Sequence, residues 1–125
     1  MERIKKLPEA EFEVMKIVWD NVPPITTNLL MQQLGNSKGW KTPSLISLLV
    51  RLTERGFLRS EKQGKERLYY PLIEKEEYLK FETEKFIKQY HGNSLSSLVA
   101  SMSDHDEVTE EDLEELLKWA KERLK

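Results

Sequence analysis

Four leucines and a glycine constrain this chain more than any other feature. Leu45, Leu48, Leu49 and Leu52 recur at the three- and four-residue steps of one helical face. Gly56 follows directly after Glu54 and Arg55, where a left-handed stop is expected. Thr42 reads as the N-cap, with Pro43 at the first helical position, which needs no amide donor. From Phe57 the pattern changes to strand, with apolar and aromatic runs at Phe57-Leu58 and Leu68-Tyr69-Tyr70. Between them Gln63-Gly64-Lys65-Glu66 is a polar turn, so the two runs are expected to pair as a hairpin.

Charge follows the same stretch. Residues 38–67 hold eight basic side chains (Lys38, Lys41, Arg51, Arg55, Arg59, Lys62, Lys65, Arg67) against Glu54, Glu61 and Glu66, a local +5 in a chain of net charge −2. Residues 1–73 sum to +4 and residues 74–125 to −6, so polyanion binding, if present, belongs to the first part. An amphipathic helix followed by a cationic hairpin is the arrangement of a winged helix-turn-helix, whose helix enters the DNA major groove while the wing touches backbone. The plain alternative is a solvated basic surface on a small domain. The expected fold is mainly α with a small antiparallel β wing, an α+β class. Residues 1–73 would form the winged domain and residues 74–125 a helical dimerisation domain.

The rest of the chain supplies helices. Leu7-Pro8-Glu9 opens one, with Glu9, Glu11 and Glu13 near its positive end and Phe12, Met15, Ile17, Val18 and Trp19 as its buried face. Asn21-Val22-Pro23-Pro24 stops it. Thr26 then caps a positioning helix of about nine residues that ends at Gly35-Asn36. Pro71, lacking an amide donor, ends strand pairing. A long helix over residues 74–90 carries Tyr78, Leu79, Phe81, Phe86, Ile87 and Tyr90. A short helix carries Leu95, Leu98, Val99 and Met102, and an acidic link spans residues 103–107. The last helix starts at Thr109, with Asp112 in the capping-box position, and carries Leu113, Leu116, Leu117, Ala120 and Leu124. These three helices expose more apolar surface than they can bury among themselves. Pairing with a second copy is the simplest use, and folding back onto the winged domain is the alternative.

Several functions are disfavoured by composition. Cysteine is absent, which removes disulfides, thiolate metal sites and a cysteine nucleophile and fits a reducing cytoplasm. No apolar run approaches the roughly 20 residues of a membrane span, and the N-terminal residues lack a signal-peptide core, so membrane insertion is not expected. No phosphate-binding glycine loop or nucleophile–base set is present, so no catalytic residue and no cofactor are assigned. His91 and His105 are isolated; Asp104-His105-Asp106 lacks a third ligand of evident geometry, so no metal site is assigned.

The order of these pieces resembles the penicillinase repressors of the BlaI–MecI–CopY type over nearly the whole chain. The similarity lies in Leu7-Pro8-Glu9-Ala10-Glu11, Val14-Met15 and Val18-Trp19, then Trp40, Leu48-Leu49, Arg51-Leu52 and Gly56-Phe57-Leu58. Tyr69-Tyr70-Pro71-Leu72 and Glu111-Asp112-Leu113-Glu114-Glu115-Leu116 complete it. The resemblance implies a homodimeric repressor on a palindromic double-stranded DNA operator, held together by its C-terminal helices. It also implies, for β-lactam-responsive members, a membrane sensor protease that triggers cleavage in the C-terminal domain. Their cleaved dipeptide is Asn-Phe; Ser101-Met102 stands at the matching place and is the candidate cleavage position. The copper-responsive branch, with its C-terminal cysteine cluster, is excluded. The family's usual lysine and threonine at the start of the recognition helix are replaced by Pro43 and Ser44. Ile46 and Val50 stand where polar residues are usual; they can touch thymine methyls but cannot read purine hydrogen-bond edges.

The expected DNA contacts follow. Lys41 and Thr42 suit a backbone phosphate at the helix's positive end. Ser44, Ile46 and Ser47 are candidates for base edges, and Arg51 for phosphate or guanine, unless it pairs with Glu54. Lys62, Lys65 and Arg67 would neutralise phosphates from the wing. Tyr78, Phe81, Phe86, Leu95, Leu98, Val99, Leu113, Leu116, Leu117 and Ala120 are expected on the dimer face. Trp19 and Trp40 read as core, and Trp119 as either exposed or in the dimer seam. A winged helix that binds protein instead of DNA is the competing function.

Overall fold

The computed structural model describes residues 4–35, 38–102 and 108–124. Asn36 and the acidic link at residues 103–107, with His105, lie outside the described residues. Among those described are six helices and a three-stranded antiparallel sheet, the expected α+β class. In chain order these are α1 (Glu9–Asp20), β1 (Ile25–Thr26), α2 (Thr27–Leu30), α3 (Thr42–Glu54), β2 (Leu58–Gln63) and β3 (Glu66–Pro71). α4 (Lys75–His91), α5 (Leu95–Met102) and α6 (Glu110–Arg123) follow. The expected nine-residue second helix is a single α turn that widens into a π turn over Met31–Gly35. The chain folds as two compact units, Met1–Glu82 and Thr83–Lys125, so the division falls inside α4 and beyond residue 73.

In the first unit the leucine quartet does what its spacing predicts. Leu45, Leu49 and Leu52 are wholly buried and Leu48 nearly so, against Val14, Met15 and Val18 of α1. Each such side chain contributes about 1.5–3 kcal/mol by leaving water. The helix start differs from expectation by one residue. Lys41 is the N-cap, in extended backbone, and Thr42 is already helical; no cap side chain accepts from the first-turn amides. The end is a Schellman motif: the Gly56 amide donates to Thr53 O (3.1 Å) and the Phe57 amide to Leu52 O (2.9 Å), with Gly56 at φ +83°. Phe57 and Leu52 are both buried in the same core cluster, in keeping with the apolar contact that often accompanies this motif.

β2 and β3 pair from Leu58↔Pro71 to Gln63↔Glu66, closed by Gly64-Lys65. Phe57 lies just before the strand. β1 adds Ile25↔Tyr69 and Thr26↔Leu68, a third strand not read from the sequence because two residues carry no periodicity. Thr26 also caps α2 as expected, its hydroxyl accepting from the Leu29 amide at 3.1 Å.

Glu11 lies in the first turn of α1 as read from the sequence, but it is 2 % exposed there and accepts a 2.7 Å hydrogen bond from Arg55 Nε. Tyr78, expected on the dimer face, is wholly buried in the first unit. Its ring lies 5.5–6.1 Å from those of Phe12, Trp19, Phe57 and Phe81. Its hydroxyl accepts from the Leu7 amide at 2.8 Å. Burial pushes the phenol up to about 12, because the ionised form would be desolvated. Phe81, also expected at the dimer face, packs partly buried against the same core. The reason is position: Tyr78 and Phe81 lie in the first turns of α4, within reach of α1, where intramolecular aromatic partners are already fixed. Trp19 fastens the approach, its indole N–H donating to Ile73 O at 2.9 Å.

In the second unit the α6 start is a full capping box. Thr109 Oγ1 accepts from the Asp112 amide (3.1 Å) and Asp112 Oδ2 from the Thr109 amide (3.0 Å). Neither α5 nor α6 has a buried residue. Leu95, Met102, Leu113, Leu116, Leu117 and Trp119 stay substantially exposed, Leu117 at 54 %. Leu98, Val99 and Ala120 are half-buried, and Phe86 lies against Tyr90 in a tilted pair with ring centroids 5.0 Å apart while remaining exposed.

Candidate nucleic-acid interface

All nine residues expected to meet DNA stand exposed on the first unit. Burial of Leu45, Leu48, Leu49 and Leu52 turns the opposite side of α3 outward. At 3.6 residues per turn, that side is centred on Pro43, Ser47, Val50 and Glu54. Ile46 and Val50 lie toward its wing edge, where they border a groove with Ser60, Arg67 and Tyr69. Arg51 lies on the opposite edge and borders a second depression with Lys5, Glu54 and Arg55. Lys41 and Thr42 mark the N-terminal end.

Strand pairing decides which wing cations face α3. Leu58, Ser60 and Lys62 share a face with Arg67, Tyr69 and Pro71, because directly opposed residues point the same way. Leu58 and Tyr69 are buried, so this is the face turned to the core, and Lys62 and Arg67 continue it past the core's edge. They are directly opposed like charges, an arrangement unfavourable without a nearby anion. Arg67 is steadied by donating to Ser60 Oγ at 3.0 Å. Lys65 sits on the turn and, with Ile46, Arg67 and the α2 residues Thr27 and Asn28, borders a further groove of about 550 Å³.

The basic side chains counted in the sequence divide into two sets. Arg59 lies on the other face of the ribbon, where it pairs with Glu61 (2.7 Å) and covers the Tyr70 ring at 4.0 Å. Tyr69 is therefore the buried tyrosine of the pair and Tyr70 the half-exposed one. Arg55 is tied to Glu11 and holds α1 against the end of α3. Of the others, Lys62, Lys65 and Arg67 lie by the wing, Arg51 lies on the opposite edge of the recognition helix and Lys41 at its N-terminal end; Lys5, outside that count, joins Arg51. A helix with phosphate-seeking groups on two edges matches a major groove, which is bounded by two strands. Lys5 was missed in the sequence because it precedes α1 and reaches the helix only through the fold.

This geometry defines a winged-helix DNA-binding protein. The chain matches the penicillinase repressor family over residues 7–122 and belongs to it. It is 28 % identical over 116 residues to the penicillinase repressor of Bacillus licheniformis, covering 93 % of this chain and 90 % of that one. It is 29 % identical over 112 residues to the methicillin resistance regulatory protein MecI of Staphylococcus aureus (strain N315), covering 89 % of each. The chain is similar to the solution structure of the DNA-binding domain of the repressor BlaI, with 32 % identity and a TM-score of 0.54. That match covers 62 % of this chain and 94 % of the other. A second similar structure is monomeric Bacillus licheniformis BlaI in complex with the blaP half-operator (TM-score 0.52, 32 % identity, 62 % and 94 % covered). The chain is thus a DNA-binding transcriptional repressor and not an enzyme. No helix among the described residues is long and apolar enough to cross a membrane.

Proposed function

We propose that the protein is a cytoplasmic homodimer that represses transcription by occupying a two-fold symmetric operator, with α3 of each subunit in the major groove. The observation that carries this reading is the disposition of α3, flanked by Lys62, Lys65 and Arg67 on one edge and by Lys5 and Arg51 on the other. The similarity to a repressor in complex with a half-operator supports it. Dimerisation through the second unit is supported by the uncovered leucines of α5 and α6. Because the relatives are a penicillinase repressor and a methicillin resistance regulator, the operon proposed is one of antibiotic resistance. Relief comes by proteolysis at Ser101-Met102, exposed at the end of α5, triggered by a membrane sensor protease. Cutting there separates the dimerisation helices, and two-site affinity falls to that of one module.

The test is titration of random duplex DNA at low and at moderate salt, then sequencing of fragments retained by the purified protein. Micromolar binding that falls steeply with salt, and a two-fold symmetric consensus, are expected. An asymmetric consensus overturns the dimer. No binding at low salt overturns DNA recognition in favour of a protein partner.

A further inference from the structure

We propose that Ile46 and Val50 read thymine 5-methyl groups, so that each half-operator is specified at those positions by apolar contact instead of hydrogen bonding. This rests on the DNA-binding reading above and names what the recognition helix recognises. The two side chains are 45 % and 50 % exposed, one turn apart on the wing edge of α3. Neither is needed by the core, which the leucine quartet fills from the other side. In the first three turns of α3 the one long hydrogen-bonding side chain is Arg51, and it lies on the opposite edge. Ser44 and Ser47 are too short to make the paired contacts by which arginine reads guanine or glutamine reads adenine.

The surroundings select the occupant. Ile46 and Val50 share a groove with Arg67 and Glu54, and Lys65, Arg67 and Glu66 border a second groove at Ile46. With Lys62 continuing the same face of the ribbon, cations outnumber carboxylates on this edge, which suits an apolar knob set among anions. In a duplex, the thymine methyl is the one apolar feature of the major-groove edge, and phosphates run along both sides of it. A guanine or cytosine edge at the same place would lose its hydrogen bonds to water and gain none from isoleucine or valine.

The experiment uses the full-length protein and the duplex it selects from a random library. Each thymine is replaced in turn by deoxyuridine, which removes only the methyl, and binding is followed by fluorescence anisotropy. At one or two positions per half-site the substitution weakens binding about fourfold, the factor expected for one buried methyl-sized group. In I46A and V50A that penalty disappears, while the salt dependence stays unchanged. Both side chains are exposed, so the variants keep the wild-type thermal midpoint. Equal binding of thymine and deoxyuridine duplexes at every position overturns the inference. So does a penalty that persists undiminished in the I46A/V50A double variant. If no duplex is bound at low salt, the repressor reading itself fails, an outcome distinct from indifference to the methyl.

Discussion

A carboxylate 2 % exposed, as in Glu11, is tolerated only against a partner, and Arg55 supplies it from the far end of α3. The two ends of the pair are not equivalent. Arg55 is a third exposed and can turn into water; Glu11 cannot. R55A is therefore expected to lower stability by about 2 kcal/mol and E11Q, which keeps an acceptor for the guanidinium, by about 1 kcal/mol. Urea unfolding of both variants measures the order, and a costlier E11Q would contradict it. Tyr78 makes a pH-dependent contribution. Its folded pKa, raised by burial to about 12, exceeds the ordinary value of 10.0. The stability it contributes is complete below pH 10 and is lost as pH rises through about 12. Burial raises Tyr69 in the same direction. Urea midpoints measured from pH 9 to 12 should fall less steeply in Y78F than in the wild type. An identical fall would assign the alkaline transition to other groups.

At the scale of elements, the ribbon and α3 divide the work of binding. The wing's Lys62, Lys65 and Arg67 offer charge without base-reading geometry, so each should act on affinity alike for every sequence. Alanine at any one of them is expected to weaken binding uniformly and to reduce the slope of log affinity against log salt by about one. A titration series from low to moderate salt checks this. Arg59 serves as the internal control. Facing away from α3 and engaged by Glu61 and Tyr70, it should leave the slope unchanged on replacement. A solvated hairpin with no role in binding would show no change for any of the four.

For the whole molecule, two units with opposite charge carry the proposed division between reading and pairing. The helices of the second unit leave leucines uncovered on a surface otherwise rich in charge, and the proposed dimer seam would cover them. L116E should place a charge in that seam without touching the first unit's core. Sedimentation is expected to show a monomer at concentrations where the wild type is a dimer. Affinity for the full symmetric operator should fall to that for a half-site. A variant that stays dimeric would move the seam elsewhere.

What could be read from the sequence was decided within a few residues along the chain. The leucine quartet, the glycine stop, the wing turn and the Thr109–Asp112 box each depend on backbone geometry repeating over one or two turns. The wing cations were legible only as a run of charge about the turn, and strand register decided that Lys62 and Arg67 share a face and Arg59 does not. The fold alone decided the rest. Glu11 meets Arg55 across 44 positions and Tyr78 meets Leu7 across 71, and no local pattern records such pairings. β1 is too short to announce itself without its neighbour Tyr69. The apolar positions of α4 illustrate the physical limit. Hydrophobic burial is non-directional, so periodicity shows that Tyr78 and Phe81 must leave water, and only tertiary packing settles that they do so inside their own chain.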